Sequence, residues 1–131
     1  LTESAVMLYY KEKNGGIKMA YQIYCGKGFD TQKAERFFKE RRVAYQRVDV
    51  LKYGIGRREL ESVAAAVGLD ALCDKESKAY RESVIAYTHN RDSILAGLME
   101  NPQLLRLPIV RDGRRATVGY CPEIWEEWLK G

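Results

Sequence analysis

Two apolar runs, Pro108-Ile-Val-Arg and Arg115-Ala-Thr-Val-Gly-Tyr, flank the dipeptide Asp112-Gly113. Asp-Gly in that setting is a strong short-range signal for a β-hairpin, because the tight turn needs the positive φ that glycine adopts without steric penalty. A hairpin has too little core to stand alone in water, so other elements must extend and cover it. The chain beyond it supplies one. Pro122 suits the first position of a helix, with Ile124, Trp125, Trp128 and Leu129 expected on its buried side.

Upstream, Ile17, Met19, Tyr21 and Ile23 alternate as a strand does, and Asn14-Gly15-Gly16 before them suits a hairpin turn with Ala5-Val-Met-Leu-Tyr-Tyr. Equally, Met19 can be the natural start and the first 18 residues an appendage. Asp30 or Thr31 is the expected cap of a helix through Gln32 to Arg42, with Ala34, Phe37, Phe38 and the stem of Arg41 on one stripe. Val43 to Leu51 then reads as a strand rich in β-branched residues, broken by Tyr53-Gly-Ile-Gly. From about 57 to 105 the period is helical. Leu60, Val63, Ala64 and Val67 form one stripe closed by Gly68. Ile94, Leu95, Leu98 and Met99 form another, capped by Asp92 or Ser93 and ended by Asn101-Pro102.

The order β-α-β, helical block, β-β-α is the layout of a thioredoxin-like α/β fold, its first strand pair parallel and its last antiparallel. At 131 residues the chain suits one domain, which buries about two-thirds of its unfolded surface and needs no metal or disulfide to hold together. No apolar run approaches the roughly 20 residues of a membrane span, and the opening residues lack a signal-peptide pattern. The expected location is cytoplasmic. Cys25, Cys73 and Cys121 are odd in number and widely spaced, with His89 the only histidine, so neither a CxxC pair nor a zinc pattern is present. The expected state is three thiols in a reducing compartment. Net charge is +4, carried by Arg41-Arg42, Arg57-Arg58 and Arg114-Arg115, each with acidic neighbours such as Glu40, Glu59 and Asp112. That dispersed pattern points away from nucleic acid, which requires a concentrated patch.

Three stretches carry a resemblance to a known family. They are Tyr24-Cys-Gly-Lys-Gly-Phe-Asp-Thr-Gln-Lys-Ala-Glu-Arg-Phe-Phe-Lys-Glu-Arg, Arg58-Glu-Leu-Glu-Ser-Val-Ala-Ala-Ala-Val-Gly-Leu, and Leu104-Leu-Arg-Leu-Pro-Ile-Val-Arg-Asp-Gly-Arg-Arg-Ala-Thr-Val-Gly-Tyr. In this order they resemble the arsenate-reductase-like ArsC/Spx family, thioredoxin-fold proteins with a helical insertion between two half-units. The resemblance implies an ArsC-type domain over residues 21–131, with the insertion at about 57–105. Residues 1–20 are then an extension or extra strand. It also implies a cis peptide bond at Leu107-Pro108, facing the active-site loop.

The resemblance implies a chemistry that the residues depart from. Family enzymes place a nucleophilic cysteine at the start of the first helix, where amide dipoles lower a thiol's pKa. Gly28 occupies that position, and Gln32 stands where a basic residue belongs. The oxyanion-binding arginines correspond to the neighbourhood of Asp74-Lys75-Glu76, to Leu107, and to the Val118-Gly-Tyr-Cys121 region, none of which supplies one. Arg106 is one residue away from Leu107, and on an extended segment that shift reverses the face. The implied function is therefore a noncatalytic, binding or regulatory member. Spx-type relatives contact RNA polymerase, so the transcription machinery is one expected partner class and a thioredoxin or glutaredoxin the other. The alternative is a divergent thiol oxidoreductase in which Cys25 is catalytic and glutathione or a thioredoxin-type protein is the reductant. No other cofactor and no metal is expected. The candidate site is the loop and helix start, Cys25, Gly26, Lys27, Gly28, Asp30, Thr31 and Gln32, together with Pro108.

Overall fold

A computed structural model describes residues 21–130. The expected N-terminal hairpin lies outside the described residues, except for its last strand segment. That segment is β1 (Tyr21–Cys25), followed by α1 (Phe29–Glu40), β2 (Tyr45–Asp49) and a single helical turn, α2 (Val50–Tyr53). The β2 strand is thus shorter than the apolar run suggested. Val50 is fully buried at the start of the turn, and Gly54, with positive φ, closes it.

The insertion contains α3 (Arg57–Val67), α4 (Leu69–Leu72), α5 (Lys78–Arg81), a 3₁₀ turn at Val84–Tyr87, α6 (Arg91–Glu100) and a second 3₁₀ turn at Pro102–Leu104. Its stripes are buried as expected at Leu60, Val63, Ala64, Leu95 and Leu98. Gly68 takes φ 89° and donates its N–H to the Ala64 carbonyl at 2.8 Å, ending α3. The α6 cap is Asn90 rather than Asp92 or Ser93, since the Asn90 side-chain oxygen accepts the Ser93 N–H at 2.9 Å.

The hairpin follows as β3 (Ile109–Asp112) and β4 (Arg115–Val118), and the chain finishes with α7 (Pro122–Lys130). Asp112 pairs with Arg115, so the two turn residues are Gly113 and Arg114, with Gly113 at φ 61°. The turn is displaced by one residue from Asp112-Gly113, and glycine takes the first central position. Pro122 opens α7 as expected. On that helix Trp125 is fully buried and Trp128 half-buried, but Ile124 and Leu129 are exposed. The narrower stripe reflects one-sided packing against α1 and the sheet.

Among the described residues the sheet order is β2-β1-β3-β4, with β1 parallel to β2 and the other pairs antiparallel. This is the thioredoxin-like arrangement. Two apolar cores cover its faces. Ile23, Cys25 and Val110 pack with Ala34, Phe37, Phe38 and Trp125 on the α1/α7 side. Tyr24 and Ile109 pack with Leu60, Val63, Leu72, Leu95 and Leu98 on the insertion side. Strand alternation alone explains the division of Ile23 and Tyr24. One arginine of each pair is in an ion pair: Arg41 with Glu126 at 3.0 Å, Arg57 with Glu61 at 3.0 Å and Asp92 at 3.1 Å, and Arg115 with Asp112. No described helix is long and apolar enough to cross a membrane.

Candidate functional site

Strand β1 delivers Cys25 to the end of the sheet, three loop residues follow, and α1 begins at Phe29. Neither Asp30 nor Thr31 caps this helix. Gly28 is the cap residue, at φ 109° and ψ 179°, with no side-chain cap bond. Thr31 is buried inside the first turn, where its hydroxyl oxygen accepts the Gly26 N–H at 3.2 Å. That bond ties the loop to the helix instead of satisfying the helix's own amides. Lys27, Gly28, Phe29, Asp30 and Gln32 are exposed around it.

The loop faces the segment before β3. The Leu107–Pro108 peptide bond is cis, as expected, and the buried Pro108 accepts the Gly119 N–H at 2.8 Å. Leu107 covers Gly26 closely. A methyl group built on Gly26 would stand 2.6 Å from Leu107 Cδ1 and 2.9 Å from its Cβ. Only a residue without a side chain fits there. Arg106 turns the other way, its guanidinium about 3.6 Å from where a Gly119 side chain would begin. The two neighbours thus face opposite sides, as extended backbone requires.

Cys25 is 1% exposed, its Sγ directed to the Ile23 carbonyl at 3.6 Å within the α1/α7 core. Lys27, two residues on, lies in solvent, so the loop does not bring the pair together on one accessible surface. The chain matches the ArsC family over residues 9–128. The chain belongs to the ArsC family.

The matched span opens within the stretch 1–20 that the motifs set apart. The transcriptional regulator "Global transcriptional regulator Spx 2" of Oceanobacillus iheyensis is 29% identical over 114 residues, covering 85% of this chain and 84% of the relative. An arsenate reductase structure from Vibrio cholerae superposes with a TM-score of 0.75 at 23% identity, over 83% of this chain and 97% of the other. An arsenate reductase (ArsC) related protein from Brucella melitensis gives 0.60 at 22%, over 86% and 97%. These two likenesses establish the fold.

Within this ArsC-family framework the other thiols sit on other segments, Cys121 packing against the same core as Cys25 and Cys73 in the core on the insertion side. Cys73 is buried after α4, and burial pushes its pKa up, with Lys75 opposing. Cys121 is half-buried and donates to the Val118 carbonyl at 3.3 Å. Burial raises its pKa too, while Arg106 and Thr117 pull it down. No disulfide joins the three cysteines. His89 is exposed beyond the first 3₁₀ turn. Among the described residues no group of three or more His, Cys, Asp or Glu side chains is gathered as a metal site would require.

Two features escaped the sequence. Phe29 and Tyr53 are 78% and 74% exposed, and both follow the C-terminal ends of the parallel strands β1 and β2, which places them at the same end of the sheet. Single aromatic residues carry no periodic signal. On the insertion face, Tyr24 donates its hydroxyl to Glu59 while Arg111 donates to Gln22 at 3.0 Å. Glu59 in Arg57-Arg58-Glu59 looked like a neighbour of the arginine pair; only the fold brings it onto β1.

Proposed function

We propose that this ArsC-family chain is a noncatalytic member that works by binding a protein partner. The observation carrying the reading is the backbone at Gly28, the position to which the resemblance assigns the nucleophile. Its φ of 109° with ψ of 179° belongs to a region that is essentially restricted to glycine. A cysteine there requires a different loop path, so the loop is built around glycine and not merely missing a thiol. Leu107 supports the same reading. It lies over Gly26 where the family pattern implies an oxyanion-binding arginine, and an alkyl side chain offers an arsenate oxyanion no charge.

The loop end of the sheet favours binding. Phe29 and Tyr53 expose large aromatic surface there, and aromatic anchors of this kind carry much of the energy of protein recognition. The likeness to a transcriptional regulator supports the transcription machinery as the partner class. In the alternative reading Cys25 attacks substrate and is recycled by glutathione or a thioredoxin-type protein. Its burial means that the loop must first open, which weighs against it.

The test is twofold. Purified bacterial RNA polymerase is passed over immobilised wild type and Cys25→Ser, and arsenate reduction is assayed with glutathione and glutaredoxin. Equal capture by both forms, with no turnover, supports binding. Turnover that disappears in Cys25→Ser establishes the oxidoreductase reading instead.

A further inference from the structure

A second surface lies away from the loop. Helices α1 and α7 enclose an open groove of about 450 Å³. Its walls hold three cations, Lys33, Arg36 and Arg41, and two carboxylates, Glu40 and Glu126. Arg41 is already engaged, paired with Glu126 at 3.0 Å and stacked 3.7 Å from the centre of the Phe37 ring. Among the described residues Lys33 faces no carboxylate within ion-pair distance; its ammonium lies 5.6 Å from the centre of the Tyr120 ring. Arg36 forms no ion pair among the described residues either, although it lines the same groove. Three residues apart on a helix, Lys33 and Arg36 share a face.

The groove carries one cation in excess of its carboxylates. Lys33 and Arg36 form no ion pair among the described residues, and Glu40 stands one helical turn beyond Arg36. Beside the cations stands an aromatic wall: Tyr120 is 42% exposed, and its ring is braced edge-on at 5.7 Å by the fully buried Trp125. A rigid aromatic surface next to cationic charge suits an acidic side chain adjoining an apolar one. Its volume holds two or three such side chains rather than a folded domain.

We infer that the α1–α7 groove binds an acidic, apolar-flanked peptide segment of a partner protein. The carboxylate meets Lys33 and Arg36, and the neighbouring apolar side chain lies on Tyr120. The inference does not depend on whether the Cys25 loop carries chemistry, because none of these residues belongs to that loop.

The experiment uses the full chain and a fluorescein-labelled peptide of sequence Glu-Asp-Leu-Glu-Asp-Leu, followed by fluorescence anisotropy. An open groove with two exposed charges predicts a Kd on the order of 10–100 µM. The double variant Lys33→Gln/Arg36→Gln, altering two exposed side chains that leave the core intact, weakens binding about fivefold or more and flattens its salt dependence. Tyr120→Ala weakens it at unchanged salt dependence, which separates the apolar contribution from the ionic one. Unaltered affinity in the double variant overturns the inference, as does equal binding of the Gln-Asn-Leu-Gln-Asn-Leu peptide or no binding at about 1 mM.

Discussion

Leu107 and Gly26 are fitted to one another, the leucine side chain occupying space that a Gly26 methyl group would need, at 2.6 Å from Cδ1 and 2.9 Å from Cβ. The terminal methyl can rotate aside, but Leu107 Cβ is fixed to the backbone beside the cis bond. Gly26→Ala is predicted to destabilise the fold by about 1–3 kcal/mol through overpacking. Leu107→Ala alone costs about 1–2 kcal/mol in lost burial. Combined, the two recover about 1 kcal/mol or more, because the second removes the atoms that the first strikes. Urea denaturation of all four forms measures this coupling, and strictly additive losses contradict the fit.

The Gly28 backbone makes a different prediction. A Cβ there meets nothing within 4 Å, so the cost of a side chain comes from φ and not from collision. Gly28→Ala and Gly28→Cys should therefore lose similar stability, about 1–3 kcal/mol. The introduced thiol should label readily, yet Gly28→Cys should not reduce arsenate with glutathione and glutaredoxin. A cysteine variant as stable as wild type, or one that turns over, contradicts the account of the loop.

Tyr24 predicts a pH effect. Burial first, and then the Glu59 carboxylate that accepts its proton, hold the phenol well above its ordinary pKa of about 10, with Arg111 opposing. The folded state therefore keeps a proton that the unfolded chain releases in alkali. This stabilising contribution is complete below pH 10 and declines as pH rises from there toward the higher folded value. Tyr24→Phe should be about 1 kcal/mol less stable than wild type at pH 8. At pH 11 the gap should narrow by about 1 kcal/mol, since wild type alone bears this penalty. Urea midpoints at the two pH values decide the matter, and a constant gap contradicts the assignment.

Inside the other core, the Trp125 indole N–H donates to the Thr117 hydroxyl at 2.8 Å, both residues being buried. Thr117→Val keeps the shape and leaves that N–H unpaired, a loss of about 1–3 kcal/mol in thermal or chemical denaturation. Because Trp125 also braces Tyr120, the variant should raise the exposure of Tyr120 to collisional quenchers. A neutral substitution would show that water reaches the indole.

The sequence exposed most of the architecture because its elements carry their own periods: Leu60, Val63 and Ala64 read as one stripe, and the hairpin announced itself through glycine. It misplaced caps and ends. Asn90 precedes the apolar run and bonds forward across three residues, and Gly28 caps α1 without any side chain, so neither leaves a pattern. Ile124 and Leu129 looked buried because their spacing fits a helix face, but α7 packs only along Trp125 and Trp128. The loop was legible as a location through its likeness to a family. Its chemistry was not, since the inward turn of Cys25, the Leu107 contact and the Tyr24–Glu59 bond join residues far apart in the chain.

The most direct test of a noncatalytic loop is native-state alkylation of the three cysteines from pH 6 to 9, read by peptide mass spectrometry. Half-buried Cys121 should label first and increasingly in alkali, since burial raises its pKa, while Cys25 and Cys73 stay protected until the chain unfolds. Rapid labelling of Cys25 near pH 6, ahead of Cys121, would mean an exposed and activated thiol and would contradict the account.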